Sequence, residues 1–179
     1  MNWPTDNNGI ADAIILTEGG YVDNANDKGG PTLRGITLDT LASWRKKPVT
    51  VDDLKAMPIQ ETRDIYICKY LIAPGFDKIT DIHLRYALTD YGVLFGPIRA
   101  VEALQALLHQ PQDGILGEKT LAAANSLIPG VSQEADSTSR LINQLSCSRI
   151  SAHADRVTKD HTQLAFLKGW LSRAMSYIE

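Results

Sequence analysis

The sequence predicts a mainly α-helical domain with one small β-hairpin near residues 21–37, and three observations carry that prediction. Apolar residues recur at three- and four-residue intervals through most of the chain, the period of a helix with one face turned inward. Strand-like patterning is confined to Tyr21-Val22 and the run Thr32-Leu33-Arg34-Gly35-Ile36-Thr37. Most prolines and glycines fall between the periodic segments, where they end helices or turn the chain. With 179 residues the chain is long enough for one well-buried core and short for two.

Taken in order, Asn7-Asn8-Gly9 offers capping chemistry for a helix over about 8–18, with Ile10, Ala13, Ile14 and Thr17 along one face. Gly19-Gly20 stops it and leaves Glu18 in the last turn, at the end where the helix dipole disfavours a carboxylate. An irregular hairpin follows, with a polar turn from Asp23 to Pro31. Thr37 caps a helix whose inner side carries Leu38, Leu41 and Trp44 or Arg45, and Pro48 ends it. Thr50-Val51-Asp52-Asp53 has the form of a capping box for a short helix closed by Pro58. The next helix runs from about Gln60 to Ile72, with Ile65, Cys68 and Ile72 inward and Pro74-Gly75 as its stop.

A strongly apolar helix is expected over Thr80–Phe95. Pro97 then opens another, carrying Ile98, Val101, Leu104, Gln105 and Leu108. Gln110–Gly114 is a turn, and Glu118–Leu127 a short alanine-rich helix ended by Pro129-Gly130. Two long helices close the chain, over about 134–157 and 162–178. In the last, Leu164, Leu167, Leu171, Ala174 and Ile178 form the expected core stripe, with Phe166, Trp170 and Tyr177 as an aromatic edge. The total is about eight helices and one hairpin.

Composition excludes several classes of function. Apolar residues make up 44% and charged residues 22%, ordinary globular values. No apolar run approaches the roughly 20 residues that span a bilayer, and Ala13–Leu16 is too short and lacks a basic flank for a signal peptide. Synthesis as a cytoplasmic chain without stable membrane anchoring is therefore expected. The net charge of −3 divides into −6 over residues 1–139 and +3 over residues 140–179, too weakly basic for nucleic acid. That tail is instead suited to weak attraction to anionic polymers. Cys68 and Cys147 stand apart, with Cys68 expected to be buried. The four histidines match no zinc pattern. Asp23 and Asp27 take the first and fifth places of a calcium loop, but Ala25 and Lys28 fail its third and glycine positions. No metal or cofactor is expected.

The chemistry concentrates around Glu18-Gly19-Gly20-Tyr21. Glu18 lies nine residues before Asp27, across a glycine-rich turn. Two carboxylates flanking a cleft suit glycoside hydrolysis, in which one donates a proton to the leaving oxygen while the other supports the cationic sugar or activates water. A helix-end glutamate packed against apolar side chains suits the donor role, and an aspartate on a solvated turn the ionised one. Thr32, whose hydroxyl both donates and accepts, is placed to hold the attacking water. Spacing leaves open whether Asp27 or Asp23 is the second carboxylate.

Three groups of residues carry a family resemblance. Glu18-Gly-Gly-Tyr21, Asp27-Lys-Gly-Gly-Pro-Thr32 and Gly35-Ile-Thr37 together resemble the signature of glycoside hydrolase family 108, the muramidases of phage endolysins and related secretion-associated enzymes. Asp90 to Gln105, with Gly96-Pro97 and Arg99-Ala100, resembles the start of that family's peptidoglycan-binding segment, continued by Asp113-Gly114-Ile115, Gly117 and Thr120. Phe166, Gly169-Trp170 and Arg173 are similar to its closing helix. The chain departs from the family at Val93-Leu94-Phe95, where Leu94 stands in place of a usual asparagine.

The resemblance implies a lysozyme-like fold, in which 8–84 is the catalytic half and 85–178 the peptidoglycan-binding-type half of one domain. It implies cleavage of the β-1,4 bond between N-acetylmuramic acid and N-acetylglucosamine, with Glu18 catalytic and Asp27 and Thr32 as its partners. Tyr21, Asp23, Arg34 and Thr37 are expected along the sugar cleft. Bacterial peptidoglycan is the expected partner of a monomer reaching the periplasm or wall through a holin or secretion apparatus. The rival expectations are a lytic transglycosylase and a non-catalytic wall-binding module.

Overall fold

The computed structural model describes residues 3–23, 30–127 and 137–178. Among these it is mainly helical, with nine α-helices and a small three-stranded antiparallel sheet. The chain begins with α1 (Asn7–Glu18), capped by the Asp6 side chain, which accepts from the Gly9 N–H at 2.7 Å. The cap thus lies one residue ahead of the Asn7-Asn8 pair. The sheet runs β1 (Tyr21–Val22), β2 (Thr32–Leu33), β3 (Ile36–Thr37), with Tyr21 opposite Leu33 and Thr32 opposite Thr37. The expected hairpin therefore holds a third strand, formed when the chain reverses at Arg34-Gly35.

Next come α2 (Leu38–Arg45), α3 (Val51–Lys55) and α4 (Ile59–Tyr66). Thr37 caps α2 through Thr40, and Thr50 with Asp53 makes a complete capping box on α3. Beyond α4 the helix widens to a π-helical stretch, Ile67–Ile72, in which the Ala73 N–H bonds the Cys68 carbonyl five residues back. This widening corrects two expectations. Ile65 and Leu71 are buried, whereas Cys68 and Ile72 are exposed, because a π-turn inserts an extra residue and rotates the side chains after it out of the 3.6-residue phase.

Helix α5 (Ile82–Phe95), capped by Asp81, is the central rod, buried around nearly its whole circumference over Tyr86–Gly92. It is followed by α6 (Pro97–Leu107), α7 (Glu118–Asn125), α8 (Ser137–Lys159) and, after a 3₁₀ turn at His161–Gln163, α9 (Leu164–Met175). The expected stop at Pro129-Gly130 and the first residues of the 134–157 helix lie outside the described residues. A single apolar cluster joins Ile10 and Ile14 of α1, Ile36, Leu41, Leu54, Ile65, Leu88 and Tyr91 to Val101, Leu104, Leu141, Leu145 and Tyr177.

Two stripes are rotated from expectation. In α1 the inward residues are Ile10, Ala11, Ile14 and Ile15, while Thr17 faces solvent with its hydroxyl donating to the Ala13 carbonyl. In α9, Ala174 and the following Tyr177 are buried, but Leu164 and Ile178 of the expected core stripe are exposed. Of the aromatic edge, Trp170 and Tyr177 turn toward the core while Phe166 is exposed, because α8 meets α9 through His153, which stacks on Trp170 at 4.8 Å between ring centres.

Candidate active site

The rotated face of α1 is what places Glu18. It follows Ile10/Ala11 and Ile14/Ile15 at helical spacing, so the helix carries its carboxylate toward the interior, 18% exposed. Gly19, at φ +80°, then turns the chain sharply. The Gly20 carbonyl accepts from the Arg34 N–H at 3.1 Å, so the sheet begins directly beside the acid.

Gly35 closes this corner. It sits at φ +75°, and a Cβ there would lie 2.9 Å from Glu18 Oε2 and 2.5 Å from the Tyr66 hydroxyl. Only a residue without a side chain lets the β2–β3 reversal settle against both groups. Tyr66, from α4, donates to the Arg34 carbonyl at 2.8 Å. Burial, helped by the charge of Glu18, pushes its pKa well above the usual phenol range, so it remains a neutral donor.

Glu18 does not have the apolar surround expected of it. Arg173, from α9, donates through Nη1 to Glu18 Oε1 at 2.7 Å. The same guanidinium grips Asp90 of α5, with Nε 3.1 and 3.2 Å from its two oxygens and Nη2 on Oδ1. Behind Asp90, Arg149 of α8 brings Nη2 to 2.9 Å from Oδ2. Burial alone would raise the Asp90 pKa, but Arg149, Arg173 and a hydrogen bond from Tyr177 outweigh it and hold the carboxyl below its usual range. Arg173 is likewise held above its usual value by Asp90 and Glu18, against the effect of burial. The four groups form a continuous chain, Glu18–Arg173–Asp90–Arg149, running from the site into the core.

The other expected site residues divide into two groups. Tyr21 and Asp23 stay near the surface and bond each other, hydroxyl to Oδ2 at 3.1 Å, with Lys55 Nζ 4.8 Å from the Tyr21 ring centre. Thr32 sits half-buried in β2. Arg34 and Thr37 serve the framework. The Arg34 guanidinium donates to the Met57 carbonyl and the Thr62 hydroxyl, tying the sheet to the start of α4. The Thr37 hydroxyl is engaged with Thr40 at the head of α2. Asp27 lies outside the described residues.

In the second half, Gln105 and Asp113 prove to be partners. The buried Gln105 amide donates to Asp113 Oδ1 at 2.7 Å and to the Ile115 carbonyl, and its oxygen accepts from the Gly114 N–H. They clasp the 110–116 turn onto α6. Among the described residues no group of three or more His, Cys, Asp or Glu side chains could hold a metal ion.

Arg173, Asp90, Arg149 and Tyr66 were not among the expected site residues. A signal for one of them existed. Leu141, Leu145, Arg149 and His153 recur every four residues, and a charge in phase with an apolar stripe demands a buried partner.

A helix-end glutamate is pressed against a short glycine-bearing sheet inside a helical frame, and comparison with known proteins supplies the class, glycoside hydrolase, and its family. Residues 11–96 match Glycosyl hydrolase 108 and residues 99–175 match a Predicted Peptidoglycan domain. The chain belongs to the glycosyl hydrolase 108 family and carries the peptidoglycan-type segment behind it. It is similar to the structure of Brucella abortus SagA, at 33% identity and a TM-score of 0.75, over 93% of this chain and 87% of that one. No curated protein matches the sequence.

Proposed function

We propose that the protein is a muramidase that hydrolyses the β-1,4 bond between N-acetylmuramic acid and N-acetylglucosamine in bacterial peptidoglycan. The observation that carries this is Glu18, a carboxyl group at the mouth of the sheet within the glycosyl hydrolase match, with Oε1 bonded by Arg173 and Oε2 over Gly35. The peptidoglycan-type segment supports the choice of polymer.

In this mechanism Glu18 enters the reaction protonated on Oε2 and gives that proton to the glycosidic oxygen. The C1–O bond breaks with its electron pair passing to that oxygen. Water then adds to C1 of the muramic acid residue and surrenders a proton to the second carboxylate, Asp27 or Asp23. The Thr32 hydroxyl orients the water, and Tyr21 lines the cleft. The product is a free reducing end. The enzyme works as a monomer in the periplasm or wall, reached through a holin or a secretion apparatus.

Mass spectrometry of fragments released from purified peptidoglycan tests this. Wild type is expected to release reducing muramic ends and Glu18→Gln to release none while keeping its circular dichroism spectrum. Anhydro-muramic ends would identify a lytic transglycosylase instead. Binding to sacculi without any released fragment would identify a wall-binding module.

A further inference from the structure

We propose that Arg173 is a positioning residue of the hydrolytic site, fixing the Glu18 carboxyl through Oε1 so that Oε2 is the proton-donating atom. This rests on the muramidase reading. It assigns to the segment behind the glycosyl hydrolase match a direct part in catalysis rather than polymer binding alone.

The geometry has the form of a clamp. One planar guanidinium holds two carboxylates from different helices, with Nε and Nη2 on Asp90 and Nη1 on Glu18. A fork of fixed shape, anchored on one carboxylate, leaves the other little rotational freedom. The anchor is itself buried and held from two sides. Asp90 is 1% exposed, and Arg149 holds it from the far side. Only the Glu18 end of the chain approaches solvent.

Packing alone gives no reason for this arrangement. Burying Asp90 and Arg149 is costly, and well-packed apolar residues commonly serve a core as well as a buried ion pair does. What apolar residues cannot do is hold a carboxyl group by one oxygen across 155 positions of sequence. The cation also acts during the reaction. As Glu18 transfers its proton it becomes a carboxylate, and Arg173 stabilises that developing charge. Tyr66 from α4 and Tyr70 from the π-helical stretch also face Glu18, with Asp90 behind the guanidinium.

The test uses the full-length protein with Arg173→Met and Arg173→Lys, measuring kcat and KM separately on purified peptidoglycan, alongside thermal melting. For Arg173→Met the expected loss is on the order of 100-fold in kcat with little change in KM, the scale set by misplacing a catalytic group. Arg173→Lys keeps the charge but not the fork. It should lose roughly tenfold in kcat, again with little change in KM. A residue that merely supports the fold would lower the melting temperature and leave kcat per folded molecule unchanged. That result in Arg173→Met overturns the proposal. If Arg173→Met does not fold, wild-type kcat in Arg173→Lys overturns it equally. Wild-type protein that releases no fragments would instead overturn the muramidase reading itself, and Arg173's role with it.

Discussion

At the scale of single residues, two positions turn local geometry into measurable consequences. Gly35→Ala places a methyl group against the Tyr66 hydroxyl and Glu18 Oε2 at a positive φ, so a loss of about 1–3 kcal/mol is expected. Activity should fall further than stability, because Glu18 is one of the groups displaced. Chemical denaturation beside peptidoglycan turnover separates the two. His153 is buried between Phe95 and Trp170, and neither ring nitrogen has a hydrogen-bond partner. Burial first, then Arg149, Arg156 and Arg173, lowers its pKa from 6.5 to about 4. Between those values the unfolded chain binds the proton and the folded one does not, so stability must fall as pH drops through that window. Melting temperatures across it should decline in wild type, and His153→Leu should flatten the decline.

At the scale of elements, the departures from expectation share a cause. Helical spacing predicts which residues share a face but not which face meets the core when two are apolar. In α9 the Leu164 side and the Trp170–Tyr177 side are both apolar, and contact with α8 decides between them. Ala174→Leu should therefore cost about 1–3 kcal/mol by overpacking. Leu164→Lys should stay within about 0.5 kcal/mol, since that side chain is exposed. A loss of more than about 1 kcal/mol from Leu164→Lys in urea unfolding would return Leu164 to the core stripe. Caps behave differently, because their interactions close within four residues. The Thr50–Asp53 box was legible in the sequence, and Thr50→Ala should cost about 1 kcal/mol. The π-helical stretch was not legible. Its phase shift puts Cys68 in solvent, where a thiol reagent should label it in the native protein.

At the scale of the whole molecule, the ion chain and the apolar cluster both tie residues 11–96 to residues 99–175. We expect the two segments to unfold as one cooperative unit, seen as a single calorimetric transition. Arg149→Met leaves Asp90 with one fewer cation in a buried site, and a cost of about 3 kcal/mol or more is expected. Adding Asp90→Leu should cost less than the sum of the single changes, as a coupled pair requires. Additive losses in denaturant titration would argue against the network.

The sequence by itself determined the helical class, the helix stops at Gly19-Gly20, Pro48, Pro58 and Pro74-Gly75, the caps at Thr37 and Thr50, the glycine-rich corner after Glu18 and the family. Each of these depends on backbone preferences or hydrogen bonds that close within a few residues, and the family on motifs that stand in order along the chain. Tertiary structure alone decided which faces of α1 and α9 turn inward, that Arg34 serves the framework, and that Glu18 pairs with an arginine 155 positions away. Those outcomes depend on which surfaces meet once the chain has folded back on itself. An ion chain running through α1, α5, α8 and α9 leaves no local trace beyond a charge in step with an apolar stripe.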